Sequence, residues 1–190
     1  MNFLTDFADQ AVVLPVAGAV LLGLLLLGWR RGALAWAASV AGVQAVMLLL
    51  KLATLSCGRY FAWSGLVSPS GHTAAAAMVY GGLLTLLAPA SAAGAAVTAA
   101  FGGVIALVFG LSRIALRVHT PADVAVGAAV GIAGAVLMRR FSGTRPPALS
   151  VSWVAVPAVL AMLAFHGSRL DAEPRIHWLA EQIWPFSACR

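Results

Sequence analysis

His119 and Asp123 lie four residues apart in the polar stretch Ser112–Asp123, SRIALRVHTPAD, between two apolar segments. Four residues is about one helical turn, so the two side chains would share a face. A histidine paired with a carboxylate has its tautomer fixed and its other nitrogen made more basic, which suits attack on phosphorus. Asp123 is the only acidic residue between Gln10 and Leu170, and Lys51 is the only lysine of the chain. Lys51, Arg59 and Arg113 therefore bring three cations against one carboxylate. That excess favours an anion. Arginine grips phosphate with two parallel hydrogen bonds, and lysine acts as a point charge.

Ser68-Pro69-Ser70-Gly71-His72 reads as an N-cap followed by the first turn of a helix. Its free N–H groups and the positive end of the helix dipole would cradle a phosphate, and Gly71 would let an oxyanion approach the backbone. The two histidines then divide the work. His119, held by Asp123, attacks phosphorus to form a phosphohistidine; His72 protonates the leaving oxygen and then activates water. Lys51, Arg59, Ser70, Gly71 and Arg113 bind the phosphate, and each well-placed donor stabilises the developing charge by roughly 3–4 kcal/mol. A lone histidine at an apolar edge is ordinarily a packing residue, and two histidines with an aspartate also suit a metal. Three cations oppose a divalent ion, so neither a metal nor a cofactor is expected. Arg117 either adds a fourth phosphate contact or meets lipid headgroups. His166 and His177 take no catalytic role.

The elements that must position these groups are apolar. The chain of 190 residues is 62% hydrophobic and 9% charged, with a mean hydropathy of +0.95. Ionisable residues in such surroundings are costly and by default mark a functional site. Six apolar segments are separated by polar punctuation: Val12–Trp29, Ala33–Leu50, Thr73–Ala90, Ala95–Leu111, Val124–Met138 and Val151–His166. Each is slightly shorter than the ~20 residues that cross a bilayer, and flanking residues would complete the span. The runs are continuous rather than alternating, which argues for helices over strands. The expected fold is an all-α integral membrane protein with a single domain over residues 1–190. It would comprise an N-terminal segment (1–11), a six-transmembrane-helix bundle (12–166) and an interfacial tail (167–190). In the tail, Ile176, Leu179, Ala180 and Ile183 recur at helical spacing and predict a short amphipathic helix. The N-terminus has no Lys or Arg before its first apolar run, so that run reads as a retained span.

Gly127 and Gly131 continue the i, i+4 series from His119 and Asp123, and predict close helix packing along one inward stripe. Trp29, Trp63 and Trp153 read as interfacial anchors. Arg30, Arg31, Arg139, Arg140 and Arg145 fall in loops of one side, which the positive-inside rule assigns to the cytoplasm. The candidate catalytic groups then face outwards. Cys57 and Cys189 share that outer side, where a disulfide between them would persist. The net charge of +6 is scattered between apolar segments rather than clustered in a stripe, so no nucleic-acid partner is expected.

PSGH at Pro69–His72 and SR-x5-H-x3-D at Ser112–Asp123 resemble the second and third signature motifs of the type 2 phosphatidic acid phosphatase superfamily. In the first motif the family has Lys, six residues, then Arg-Pro. Here seven residues separate Lys51 from Arg59, and Tyr60 stands in place of the proline. The resemblance implies His119 as nucleophile, His72 as acid and base, Asp123 as orienting carboxylate, and Lys51, Arg59, Ser70, Gly71 and Arg113 as phosphate ligands. It also implies metal-independent hydrolysis of a lipid phosphate or diphosphate. Undecaprenyl diphosphate, phosphatidic acid, phosphatidylglycerol phosphate and lipid A phosphates are the candidate substrates. The short chain suits an outward-facing enzyme of a bacterial inner membrane, with membrane lipids as its surroundings. Lipid-to-lipid phosphotransfer through the same phosphohistidine is one alternative. A small anion or proton carrier is another, and it would need its polar groups near the bilayer midplane.

Overall fold

A computed structural model describes residues 2–88, 94–146, 150–170 and 172–183, with the side chains of residues 2, 59 and 62 outside the described part. The described residues form helices α1 (Asn2–Asp6), α2 (Gln10–Leu26), α3 (Arg30–Phe61), α4 (Gly71–Leu87), α5 (Ala95–Ala115), α6 (Pro121–Phe141), α7 (Ser152–Phe165) and α8 (Ala172–Ile183). A 3₁₀ turn, Ala62–Ser64, follows α3, and no strand occurs among the described residues.

Helix α4 is the axis of the bundle. Its side chains are buried without interruption from Thr73 to Leu83. The reason lies in its sequence, Thr73 and four alanines followed by a Gly-Gly pair in GHTAAAAMVYGGLLTLL: small residues let neighbouring helices approach from several sides. Helices α5 and α6 pack most extensively against it, α2 and α3 less so; α2 pairs with α7 and α3 with α6.

Helix α6 crosses α4 through Gly127 and Gly131, as the glycine stripe predicts. A Cβ at Gly127 would stand 2.4 Å from the carbonyl oxygen of Ser70, and one at Gly131 would stand 2.3 Å from that of Ala74. These are backbone contacts with no flexible side chain to yield. Gly127→Ala should therefore push α6 away from the start of α4 and destabilise the protein by about 1–3 kcal/mol. Gly103→Ala, whose Cβ would meet nothing within 4 Å, is the control. Denaturant unfolding in detergent should separate the two variants.

Each of the six apolar segments lies largely within one of the helices α2 to α7. Arg30–Gly58 of α3, α5 and α6 are long and apolar enough to cross a membrane, whereas α2, α4 and α7 are shorter apolar helices. Large apolar side chains stay exposed along the outer faces, among them Leu22, Leu26, Leu34, Leu49, Leu107, Leu160 and Leu163. A belt of that extent is not tolerated in water and marks a membrane protein.

Three features differ from expectation. Helix α3 does not end near Leu50 but runs on through Lys51, and its helical geometry breaks only at Cys57 (φ −124°, ψ 29°). The charge of Lys51 lowers the local hydropathy without interrupting helical backbone. Trp29 is no interfacial anchor: it is buried and its indole N–H donates to Ser142 O at 3.2 Å. Trp63 and Trp153, by contrast, are exposed. The segment ahead of the first apolar run also folds, as α1.

Polar groups divide between the two ends of the bundle. At one end Arg31 donates to Phe141 O (3.0 Å) and Arg145 to Leu86 O (3.0 Å) and Ala88 O (3.2 Å). These arginines meet the carboxyl ends of α4 and α6, where cations offset the helix dipole. The other end holds the start of α4, the end of α5 and the start of α6.

Candidate active site

The first turn of α6 organises this end. Thr120 is its N-cap and accepts from Asp123 N at 3.1 Å, while the Asp123 carboxylate accepts from Thr120 N at 2.9 Å. This reciprocal capping box, with Pro121 in the first turn, starts the helix. The same two residues hold the loop that leads into α4. Asp123 Oδ1 accepts from Val67 N (2.9 Å) and Ser68 N (2.8 Å), Asp123 O accepts from Ser70 N (3.0 Å), and Thr120 Oγ1 donates to Gly65 O (2.9 Å). Asp123 is 2% exposed, so these N–H groups replace the water it has lost.

His119 is aimed through that loop. Its Nδ1 lies 3.0 Å from Ser68 O, which requires the proton on Nδ1 and leaves the lone pair on Nε2. The distance from Nδ1 to Asp123 Oδ2 is 3.7 Å, too long for a hydrogen bond. The orienting contact is thus a carbonyl oxygen, and the carboxylate acts by fixing the segment that bears it. Burial, then the positive charges of Arg113 and Lys51, lower the His119 pKa from its ordinary 6.5, against the opposing pull of Asp123 and Glu173. The imidazole is therefore neutral around pH 7. If turnover needs that neutral form, the acid limb of kcat/KM has its midpoint below pH 6.5, which a pH–rate profile would reveal. The unfolded chain takes up this proton first. The associated stability is full above pH 6.5 and is lost as pH falls from there towards the folded-state pKa.

Lys51, Ser70, Gly71 and His72 come to the same end. Lys51 is buried and donates to Ser68 Oγ at 3.3 Å. Ser70 caps α4, its hydroxyl accepting from Thr73 N at 3.4 Å. A Cβ at Gly71 would meet only Lys51 Cε at 3.6 Å, an ordinary contact, so protein packing alone does not demand glycine there. Arg113, in the last turn of α5, faces a cavity of about 330 Å³ shared with His72. Its buried Nε has no hydrogen-bond partner among the described residues. A buried cationic donor of that kind fits an anionic ligand. Ser112 is not part of the cavity: it is buried and donates back to Phe109 O at 2.6 Å. Arg59 follows the break at Cys57, so it does not share one helical phase with Lys51. Arg117 sits at the end of α5 with a positive φ of 57° and is exposed. Cys189, and with it a pairing to Cys57, lies outside the described residues.

Two acids absent from the sequence-based site also stand here. Glu173, in the first turn of α8, forms an ion pair with Lys51. Asp9, the N-cap of α2, lies 3.7 Å from His72 Nε2 through its Oδ2. Both sit in polar terminal segments, where acids are ordinarily solvated. Nothing in the sequence marked them, and the tail, read as an interfacial helix, docks on the bundle. Ala180 is buried, and Ile176 lines a cavity of about 340 Å³ together with Lys51 and His72.

The model of the PAP2 superfamily matches residues 46–147, which include Lys51, the PSGH segment and the whole of Ser112–Asp123. The chain belongs to the PAP2 superfamily. A Klebsiella pneumoniae protein, described as an uncharacterized 22.5 kDa protein in the cps region, is 30% identical over 194 residues. That match covers 97% of this chain and 91% of the relative. No solved structure matches. PAP2 proteins are generally phosphatases, and membership assigns this chain phosphatase activity on phosphate esters as its class. Asp9 and Glu173 lie outside the residues that match the family.

Proposed function

We propose that this PAP2 protein is a metal-independent lipid phosphatase that hydrolyses a lipid phosphomonoester or diphosphate through a phosphohistidine. Undecaprenyl diphosphate and phospholipid phosphates such as phosphatidic acid or phosphatidylglycerol phosphate are the leading substrates. Helices α2 to α7 would all cross a bacterial inner membrane, with the site on the periplasmic side and α8 at the interface. The observation that carries the lipid reading is the 340 Å³ cavity. Lys51, Gly71 and His72 line it together with Leu14, Met47 and Leu48 of α2 and α3. A phosphate at the cations would have its hydrocarbon beside apolar helix faces that open towards the membrane. The clustering of polar groups at one end also fits an enzyme better than a carrier, whose relay belongs near the midplane.

In this reading, Nε2 of His119 attacks phosphorus in line, and the bond to the leaving oxygen breaks as His72 supplies its proton. His72 then takes a proton from water, whose oxygen attacks the phosphohistidine, and inorganic phosphate leaves. Lys51, Arg113, Arg59 and the N–H groups at the start of α4 neutralise the equatorial oxygens. Glu173, now on Lys51, would yield to the phosphate.

The test is phosphate release in detergent from undecaprenyl diphosphate, phosphatidic acid, phosphatidylglycerol phosphate and lipid A. Release from at least one, blocked by vanadate and unaffected by EDTA, is expected. Transfer of the phosphate to a second lipid would make the protein a phosphotransferase. Release abolished by EDTA would contradict the metal-independent reading.

A further inference from the structure

Two acids near the site have a fixed cation, whereas Asp123 and Asp9 each stand 3.7 Å from a histidine instead. Glu173 is engaged by Lys51, and Asp6 by Arg169 at 3.1 Å. Asp9 is different: His72, at 3.7 Å, is its only ion-pairing partner among the described residues. Asp9 is 8% exposed, and an uncompensated carboxylate in such a position is costly.

Its two oxygens are used differently. Oδ1 accepts from Ala11 N at 2.9 Å, capping α2, and from Leu170 N at 2.9 Å, fastening the segment before α8. Oδ2 is turned to His72. The cap needs an oxygen but no charge, since asparagine or serine would serve equally well. The charge has one evident use. His72 faces Lys51 from α3 and Arg113 from α5, both of which oppose an imidazolium. Glu173 and Asp6 face it too, but each is already balanced by its own cation.

We propose that Asp9 is a positioning residue for His72, its charge acting across 3.7 Å to stabilise the imidazolium that donates the proton to the leaving oxygen. This rests on the phosphatase reading for the role of His72, but the pairing stands apart from it. The two histidines then stand in different surroundings. His119 is buried among cations with Ser68 O on its Nδ1, whereas His72 has the carboxylate of Asp9 beside its Nε2. Such a division is how two similar groups are set to act as nucleophile and acid. Burial alone would raise the Asp9 carboxyl, yet the His72 imidazole and the N–H groups of Ala11 and Leu170 together hold it below its ordinary 3.8.

The test has two arms on the full chain in detergent. In the first, the Asp9 carboxyl is followed by carbon-13 NMR, assigned with Asp9→Asn. His72→Gln should raise its titration by about half a unit or more, because the coupling of two sites is mutual. An unchanged titration overturns the pairing, whether or not the protein turns over. In the second arm, Asp9→Asn should lower kcat about tenfold with KM nearly unchanged. It should also move the alkaline limb of the pH–rate profile about 0.5–1 unit towards acid and leave the acid limb in place. Asp9→Ser, which keeps a capping hydroxyl, should behave the same way, and Asp9→Glu should restore part of the rate. A lower rate with an unmoved alkaline limb would reduce Asp9 to a structural cap and overturn the inference. A coupled pair in a protein that releases no phosphate would instead refute the phosphatase reading, and with it the catalytic purpose given to the pair.

Discussion

His119→Ala should lower phosphate release from lipid substrates by about 10⁴-fold or more while the protein still folds. Removing a covalent nucleophile leaves only what binding and charge stabilisation contribute, and losses of that size follow in other enzymes. The fold should survive because the ring makes one hydrogen bond, to Ser68 O, worth about 1 kcal/mol net. Ser68 keeps its own tie to Asp123 through its N–H, so the loop stays in place. Single-turnover assays on the purified variant, with circular dichroism as a check on folding, give the answer. A variant within tenfold of the native rate would remove His119 from the nucleophile's role.

The second large effect is expected at Asp123, and it should differ in kind. Asp123→Ala strips an acceptor from the N–H groups of Val67, Ser68 and Thr120 at once. Each buried donor left unpaired costs about 1–3 kcal/mol, so a loss of roughly 3–5 kcal/mol is expected. Activity should fall at least about 10²-fold, because Ser68 O no longer holds Nδ1 of His119. Asp123→Asn provides the discriminating case. Its single carbonyl oxygen can serve Val67 and Ser68 or Thr120, but not all three. If Asp123 acts through the loop, stability and rate should fall together and by intermediate amounts, as read by denaturant unfolding and kcat. A direct carboxylate–imidazole mechanism predicts the opposite: an Asn variant as stable as the native protein yet almost inactive. The 3.7 Å separation argues against that outcome.

Much of this arrangement was legible in the sequence, for local reasons. Of the four-residue series His119, Asp123, Gly127 and Gly131, the two glycines prove to be where α6 meets α4, whereas His119 precedes the N-cap Thr120 and lies outside the helix. Ser70-Gly71 is a start signal that depends only on neighbouring residues, and it opens a helix as read. Long-range partners were not legible. That Asp123 would gather the N–H groups of Val67 and Ser68, some 55 residues earlier in the chain, is decided by how α4 and α6 cross. Asp9 and Glu173 looked like solvated acids of polar ends, and only the folding of α1 and α8 against the bundle brings them inward. Lys51 looked like the end of a span because hydropathy drops there. The helix carries on because Leu52 to Ser56 continue to satisfy its backbone hydrogen bonds.

The most direct test of the central claim is to trap the enzyme's covalent intermediate. The protein is mixed with phosphorus-32-labelled lipid phosphate, quenched in alkali within milliseconds, and digested for mass spectrometry under conditions that preserve phosphohistidine. Because Nδ1 of His119 is engaged by Ser68 O, the label should be found on Nε2 of His119 and should be absent from His119→Ala. Label on another residue, label on Nδ1, or undiminished labelling of the His119→Ala variant would contradict the account.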